Sequence, residues 1–486
     1  MTARRSAGGG GPAHQARPAG GPVRRAASAA TPVRQATPPG GPARRGLAAA
    51  GAVAAALIVT AGCGAPRAGG AAARAPAPAA PPLALSLADA GGTSWAVVEM
   101  GGAGAQHENF WQVFVRPAGG AAWRLATPAG VADNGGLVVA STGAGALLAG
   151  FRPSQDLTFS PLAVTADAGT RWAAGGPVSP GLSDVPGALA AGPGGRLIAL
   201  TDGGGVDLGQ GGGTRWSRLA SARGLAATAA GRACGLSRVT AAAFAGDGAP
   251  VLGGTCGKPG VAGIFAWRGG SWRAAGPALP PALAGRDVSV LRLDSVPAPA
   301  AAALSAGAPA PAGSGAGPAA GSGGSAATGT GGGSAAGSGS GPDGGRGGVA
   351  ARSTVAVLAV GRGAKTGIVV AWSGGPGGSG WRLSPVLPAG SQRVRSASLW
   401  PDGSAGLVLS GRHGARGVII AGPGRSWAGL PALPAGAATL APAGGGGVEA
   451  LSAGRSTMRA WRLGRAGAGW SEFQQVRVPV PYGSSS

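Results

Sequence analysis

Val394-Arg395-Ser396-Ala397-Ser398-Leu399, Trp400-Pro401-Asp402-Gly403, Gly406-Leu407-Val408-Leu409-Ser410, Val418-Ile419-Ile420-Ala421, Gly422-Pro423-Gly424 and Ser426-Trp427-Ala428-Gly429-Leu430 follow one another with short gaps. The apolar runs are too short for helices and rich in Val, Ile and Leu, so they read as strands. Pro-Asp-Gly and Gly-Pro-Gly reverse the chain between them, because Pro presets φ and Gly supplies a positive one. The stretch is therefore an antiparallel meander of four strands with a tryptophan in the last. That tryptophan recurs at Trp123, Trp172, Trp216, Trp272, Trp381, Trp427 and Trp470, at spacings of 43 to 56 residues with a single gap of 109. The long gap holds a Gly/Ser/Ala/Pro-rich stretch from about Pro297 to Arg352, and without it the period is kept.

Seven such units fit between Leu85 and Val480. The second, for example, parses as Leu137–Ala140, Ala146–Phe151, Pro161–Thr165 and Arg171–Ala173. A four-stranded sheet cannot bury both faces alone, whereas radially stacked sheets bury each face on a neighbour. The expectation is an all-β fold, a seven-bladed β-propeller over residues 84–482 with four antiparallel strands per blade. The segment Thr165-Ala166-Asp167-Ala168-Gly169-Thr170-Arg171-Trp172 resembles an Asp-box of the sialidase-like (BNR) propellers. The resemblance makes Thr165, Asp167, Gly169 and Trp172 structural residues of a turn, away from any catalytic face. Gly211–Trp216 keeps the Gly and the Trp without the Asp. Residues 295–352 are expected to be a disordered loop within the fifth unit, on the face of the Asp-box turns.

Composition narrows the classes. Gly and Pro make up 142 of 486 residues, a level typical of low complexity, yet all 13 Trp lie between Trp95 and Trp470, so that region must fold. Collagen, coiled-coil and multi-span membrane patterns are missing. Residues 1–45 carry eight Arg and no acid, and Arg44-Arg45 precede an apolar run from Leu47 that ends in Thr60-Ala61-Gly62-Cys63. A basic region, an apolar run and small residues at a cleavage point describe a secretory signal over residues 1–62. The last four residues resemble a bacterial lipobox, with Thr at the usual Leu position. That resemblance implies a lipidated Cys63 as mature N-terminus, an Ala/Pro-rich linker over 63–83, and a place on the extracytoplasmic face of the cell membrane. In that oxidising setting the two remaining cysteines, Cys234 and Cys256, are expected to form a disulfide across a strand-turn-strand segment. The net charge of +24 falls to +16 once residues 1–62 are removed. An exported chain of this charge points to anionic lipid or acidic wall polymers as partners, rather than to nucleic acid.

Function is carried less clearly. The loops between second and third strands hold His107 and Glu108, Arg152 and Asp156, Lys258, Arg362 and Lys365, Arg412, His413 and Arg416, and Arg455. A ring of such side chains suits a carboxylate, phosphate or sugar-acid ligand. His107, Arg152, Arg362, Lys365, Arg412, His413 and Arg455 are the ligand-binding candidates. A sialidase would need a Tyr nucleophile, and the single Tyr is Tyr482 in the C-terminal tail. Glu108 and Asp156 are the remaining pair for a two-carboxylate glycan hydrolase. Phosphate-loop readings fail, because Ala364 precedes Lys365 and Pro259 follows Lys258. No cofactor or metal is called for, since three Cys and three His cannot frame a structural zinc site. The expected function is a non-catalytic binding or scaffolding module at the envelope, taking a glycan or protein. The alternatives are the hydrolase and an assembly factor for an envelope complex.

Overall fold

The computed structural model describes residues 83–89, 91–101, 110–128, 136–151, 162–174, 186–213, 215–297, 352–374, 380–464 and 469–479. Their strands form five antiparallel sheets of four strands and one of nine. Each four-stranded sheet is a meander in chain order. The first comprises Leu85–Ala88, Ser94–Met100, Phe110–Arg116 and Arg124–Leu125. The nine-stranded sheet is two meanders, one of four strands from Leu236–Phe244 to Ser271–Ala274 and one of five from Val288–Pro297 to Leu387–Pro388, whose last two short strands both pair with Gly367–Trp372. One residue pair, Thr255 with Ser289, joins them.

The meanders pack face on face in chain order. Trp95, Val97 and Val115 of the first lie on Leu137, Leu147 and Phe151 of the second. The series returns on itself, because Ala438, Leu451 and Met458 of the last meander pack on Val98, Phe114 and Trp123 of the first. A succession of radial meanders whose last member packs on the first is a β-propeller. Four of the seven periodic tryptophans bond across this packing, whereas Trp216 donates to Gly213 O of its own meander. Trp381 Nε1 donates to Ala275 O at 2.8 Å, Trp427 to Pro385 O at 2.8 Å and Trp470 to Pro431 O at 3.4 Å. In each case the acceptor belongs to the preceding meander. Trp123 does the same around the seam, donating to Glu449 Oε2 of the last meander at 2.9 Å. Each of these indoles brings a large apolar body and one directed bond to a sheet–sheet contact.

The contact between last and first meanders holds the deepest charge. Glu449 is fully buried and accepts from Arg116 Nη1 at 2.5 Å, Trp123 Nε1 at 2.9 Å and Arg462 Nη2 at 2.8 Å. Arg116 also donates to Pro442 O at 2.6 Å and lies 5.1 Å above the Trp123 ring. A carboxylate this deep is tolerable only with donors on both oxygens. Gln474 and Trp123 add a reciprocal pair, 2.7 Å from Trp123 N and 2.6 Å to Trp123 O.

Between the third and fourth meanders the chain forms two short helices, Ala222–Ala227 and Ala229–Cys234, where strands alone were expected. Their caps were present in the sequence. Ser221 Oγ accepts from Gly224 N and Thr228 Oγ1 from Gly231 N, both at 3.0 Å, and Gly235 ends the second helix at φ 65°. The disulfide between Cys234 and Cys256 ties that helix end to the strand Pro250–Cys256. Closing a loop with a sequence separation of 22 removes denatured-state entropy worth roughly 3 kcal/mol. The strands flanking the Gly/Ser-rich stretch run on to Pro297 and resume at Arg352, so residues 295–297 and 352 of the expected loop belong to strands. Residues 298–351, like the expected signal segment, Cys63 and the expected linker up to residue 82, lie outside the described residues.

Candidate functional site

The innermost strand of each meander runs beside the axis of the molecule, and its side chains decide what the axis contains. On one side the axis is filled. Ser86, Ser396, Ser398 and Thr439, from the first, sixth and last meanders, are all fully buried. Ser86 N donates to Ser398 Oγ at 2.8 Å, Ser86 Oγ donates to Leu440 O at 2.5 Å, and Ser396 Oγ pairs with Thr439 Oγ1 at 2.7 Å. A parallel bridge between Ala84 and Ser396 brings the backbones together. Small hydroxyl side chains allow this approach and satisfy the polar groups it buries.

On the other side the axis is open. The inner strands Leu137–Gly143, Pro186–Ala191, Leu236–Phe244 and Val288–Pro297 surround two adjoining cavities of about 270 and 360 Å³. The smaller is lined by Arg238, Thr240, Thr255, Ser289 and Arg292 among aliphatic side chains. The larger contains Asp89, Arg292, Asp294, Arg352 and Trp400 in its wall. Val139, Leu189, Ala242, Arg292 and Leu293 border both, so Arg292 stands at the waist. Its Nη2 donates to Asp294 Oδ2 at 3.2 Å, while its Nε is buried without an acceptor. Arg352 is held by Ser295, with Nη2 2.5 Å from the Ser295 carbonyl oxygen. Asp89 accepts from Thr93 N at 3.0 Å and Gly145 N at 2.6 Å, which fixes it as a turn brace.

Arg292 escaped the sequence reading for a geometric reason. Val288 and Val290 are buried in the sheet contact, so plain alternation would send residue 292 there too. A bulge between Val290 and Arg292 shifts the register by one residue and turns the guanidinium to the axis. Innermost strands of the fourth, sixth and last meanders are bulged at the matching place, between Val239 and Ala241, Val394 and Ser396, and Ala437 and Thr439. Arg238, just ahead of the bulge in the fourth meander, was likewise not singled out in the sequence.

The candidates on the second-to-third connections are placed as follows. Arg362 is exposed and its guanidinium is ion-paired to Asp287. Lys365 is exposed at the end of the turn Gly363–Lys365, and its carbonyl accepts from Arg286 Nη1 at 3.2 Å. Gly361 opens that turn at φ 97°, where a Cβ would lie 2.5 Å from Lys365 O. Arg412 and His413 are the two exposed residues of a tight hairpin, since the third strand starts at Gly414 rather than Val418. Arg416 thus belongs to a strand and donates to Pro388 O at 2.7 Å. Lys258 and Arg455 are exposed. None of these residues is among those that line the two axial cavities. His107, Glu108, Arg152 and Asp156 lie outside the described residues.

The turn at Thr165–Trp172 is built around one carboxylate. Asp167 Oδ1 accepts from Thr170 N at 3.0 Å, Arg171 N at 2.9 Å and the Thr165 hydroxyl at 2.9 Å. The Arg171 amide first, then the Thr165 hydroxyl, hold the Asp167 carboxyl below the usual aspartate range. Gly169 adopts φ 79° above Trp95, and Trp172 packs into the core between first and second meanders. Arg124 of the first meander closes over the turn, with Nη2 2.5 Å from Ala168 O. Among the described residues, no three His, Cys, Asp or Glu side chains come together as a metal site.

No protein-family model and no curated protein matches the chain. Solved structures do. YCF48 from Cyanidioschyzon merolae is 11% identical, with 80% of this chain and 94% of that chain covered and a TM-score of 0.40. A GH74 xyloglucanase from Xanthomonas campestris is 13% identical over 83% of this chain and 55% of that chain, at 0.43. The Aleuria aurantia lectin in complex with Fucα1-6GlcNAc is 12% identical over 83% and 97%, at 0.32. These are β-propeller proteins, and the likeness is one of architecture that brings no residue across.

Proposed function

We propose that the chain is an exported, lipid-anchored, seven-bladed β-propeller that acts as a non-catalytic binding or scaffolding module on the extracytoplasmic face of the membrane. The count of seven is supported by the alternation of meanders and apolar clusters, one cluster to each meander–meander contact around the axis. Kinship with the sialidase-like (BNR) propellers is supported by the Asp167 turn. Anchoring rests on the sequence alone, through the lipobox-like Thr60–Cys63.

The observation that carries a binding role is the open half of the axis, a concave and partly apolar space with guanidinium groups in its wall. The carboxylates buried among the described residues are occupied elsewhere: Glu449 and Asp207 by arginines, Asp89 by backbone amides. Partners of the class expected are wall glycans or another envelope protein. The test uses the full chain, extracted from membranes and immobilised, against purified wall polysaccharide and envelope protein. Retention of one of these without release of reducing ends is expected, and Cys63→Ser moves the protein to the soluble fraction. Release of reducing ends that disappears in a Glu108→Gln, Asp156→Asn double variant would instead establish the hydrolase.

A further inference from the structure

We infer that the waist of the axial cavity binds a small monocarboxylate with an apolar body, its carboxylate on Arg292 and Arg238. This deepens the binding role proposed above and rests on it. Two features of the wall select the ligand. Arg292 is the one charged residue common to both cavities, with a side chain only 18% exposed. Its guanidinium carries more N–H bonds than the one its Nη2 gives to Asp294 Oδ2 at 3.2 Å, which leaves donors for a ligand. A guanidinium presents paired N–H bonds that match the oxygens of a carboxylate.

The second feature is the charge balance against the apolar lining. Arg238 and Arg292 face the smaller cavity, and Asp294 offsets one of them, so about one positive charge remains for a ligand. A dianionic phosphate would leave charge unmatched. Leu85, Val138, Leu189 and Leu291 form much of the remaining lining, which suits an aliphatic or aromatic body. The other hydroxyls of this wall are already paired. Thr255 and Ser289 bond each other at 2.7 Å, and Thr240 donates to Val290 O at 2.5 Å. Specificity therefore rests on the two arginines.

The experiment is titration calorimetry of the full chain with hexanoate, benzoate, hexanamide and inorganic phosphate. The carboxylates are expected to bind at least tenfold more tightly than hexanamide or phosphate. Arg292→Gln and Arg238→Gln should each weaken the carboxylates at least tenfold, Arg292→Lys should fall between, and the exposed Arg412→Gln should leave binding unchanged. Near-UV circular dichroism identifies any variant that has lost its fold, and Arg292→Lys then carries the test. Equal binding of hexanamide, tighter binding of phosphate, no binding of either carboxylate, or wild-type affinity in Arg292→Gln would overturn the assignment. If the immobilised chain still retains its glycan or protein in that case, only this inference falls and the binding module stands.

Discussion

The two halves of the axis are made from the same kind of strand and end in opposite states. Where the inner strands carry Ser86, Ser396, Ser398 and Thr439, the backbones close until every hydroxyl is buried and bonded. Where they carry Arg238, Thr240, Arg292 and Asp294, the same architecture leaves cavities of about 270 and 360 Å³. The difference teaches that this fold does not by itself provide a channel. Side-chain size and charge on the innermost strands decide, sector by sector, whether the centre is filled or open. The closed half lies beside the contact where the two ends of the repeat meet, with no covalent link to hold it. Directed bonds are concentrated there, from the hydroxyl cluster at the axis out to Glu449.

The sharpest way to break this division is to remove the charge behind the closed half. Glu449→Ala strips the shared acceptor from Arg116, Trp123 and Arg462, and is expected to cost about 3–5 kcal/mol in denaturant unfolding. Next comes the axis itself. Ser398→Ala leaves the buried Ser86 N–H unpaired and should cost about 1–3 kcal/mol by the same measurement. In the open half an equally central residue should matter far less to stability. Arg292→Met removes a side chain whose Nε has no partner and should change unfolding free energy by less than about 1 kcal/mol.

The smallest effect belongs to a residue outside both halves. Asp167 has a folded-state pKa below its ordinary value, so its contribution is complete above the ordinary aspartate pKa of about 3.9 and is lost as pH falls through the lower folded value. The gap in melting temperature between the wild-type chain and Asp167→Asn should therefore be present at neutral pH and shrink in strong acid. A gap that widens in acid would contradict the turn geometry.

Much of the fold was legible in the sequence because its signals are local. Pro401-Asp402-Gly403 and the recurring tryptophans mark meanders without reference to anything distant. The two capped helices were equally local in origin, with Ser221, Thr228 and Gly235 in place, but an Ala-rich link inside a strand repeat was read by the rule of its surroundings. The open half of the axis was less legible. Arg362, Arg412 and Arg455 were singled out because they follow the second strands, yet those turns are exposed on the surface, and Arg362 is paired with Asp287. What fills the axis depends on strand bulges and on which inner strands approach, and neither is written in composition or period. Arg292 shows this most plainly, since one extra residue in its strand moves it from the sheet contact to the cavity.

Thiol labelling of two single-cysteine reporters tests the unequal axis most directly. With Cys63 replaced by Ser and Cys234 and Cys256 in their disulfide, Thr240→Cys places a thiol in the open half and Thr439→Cys places one in the closed half. Under native conditions the first should react with a small maleimide in the folded state. The second should react only at the rate of unfolding, and faster in step with added denaturant. Equal native-state rates at the two positions, or protection of Thr240→Cys, would contradict the account.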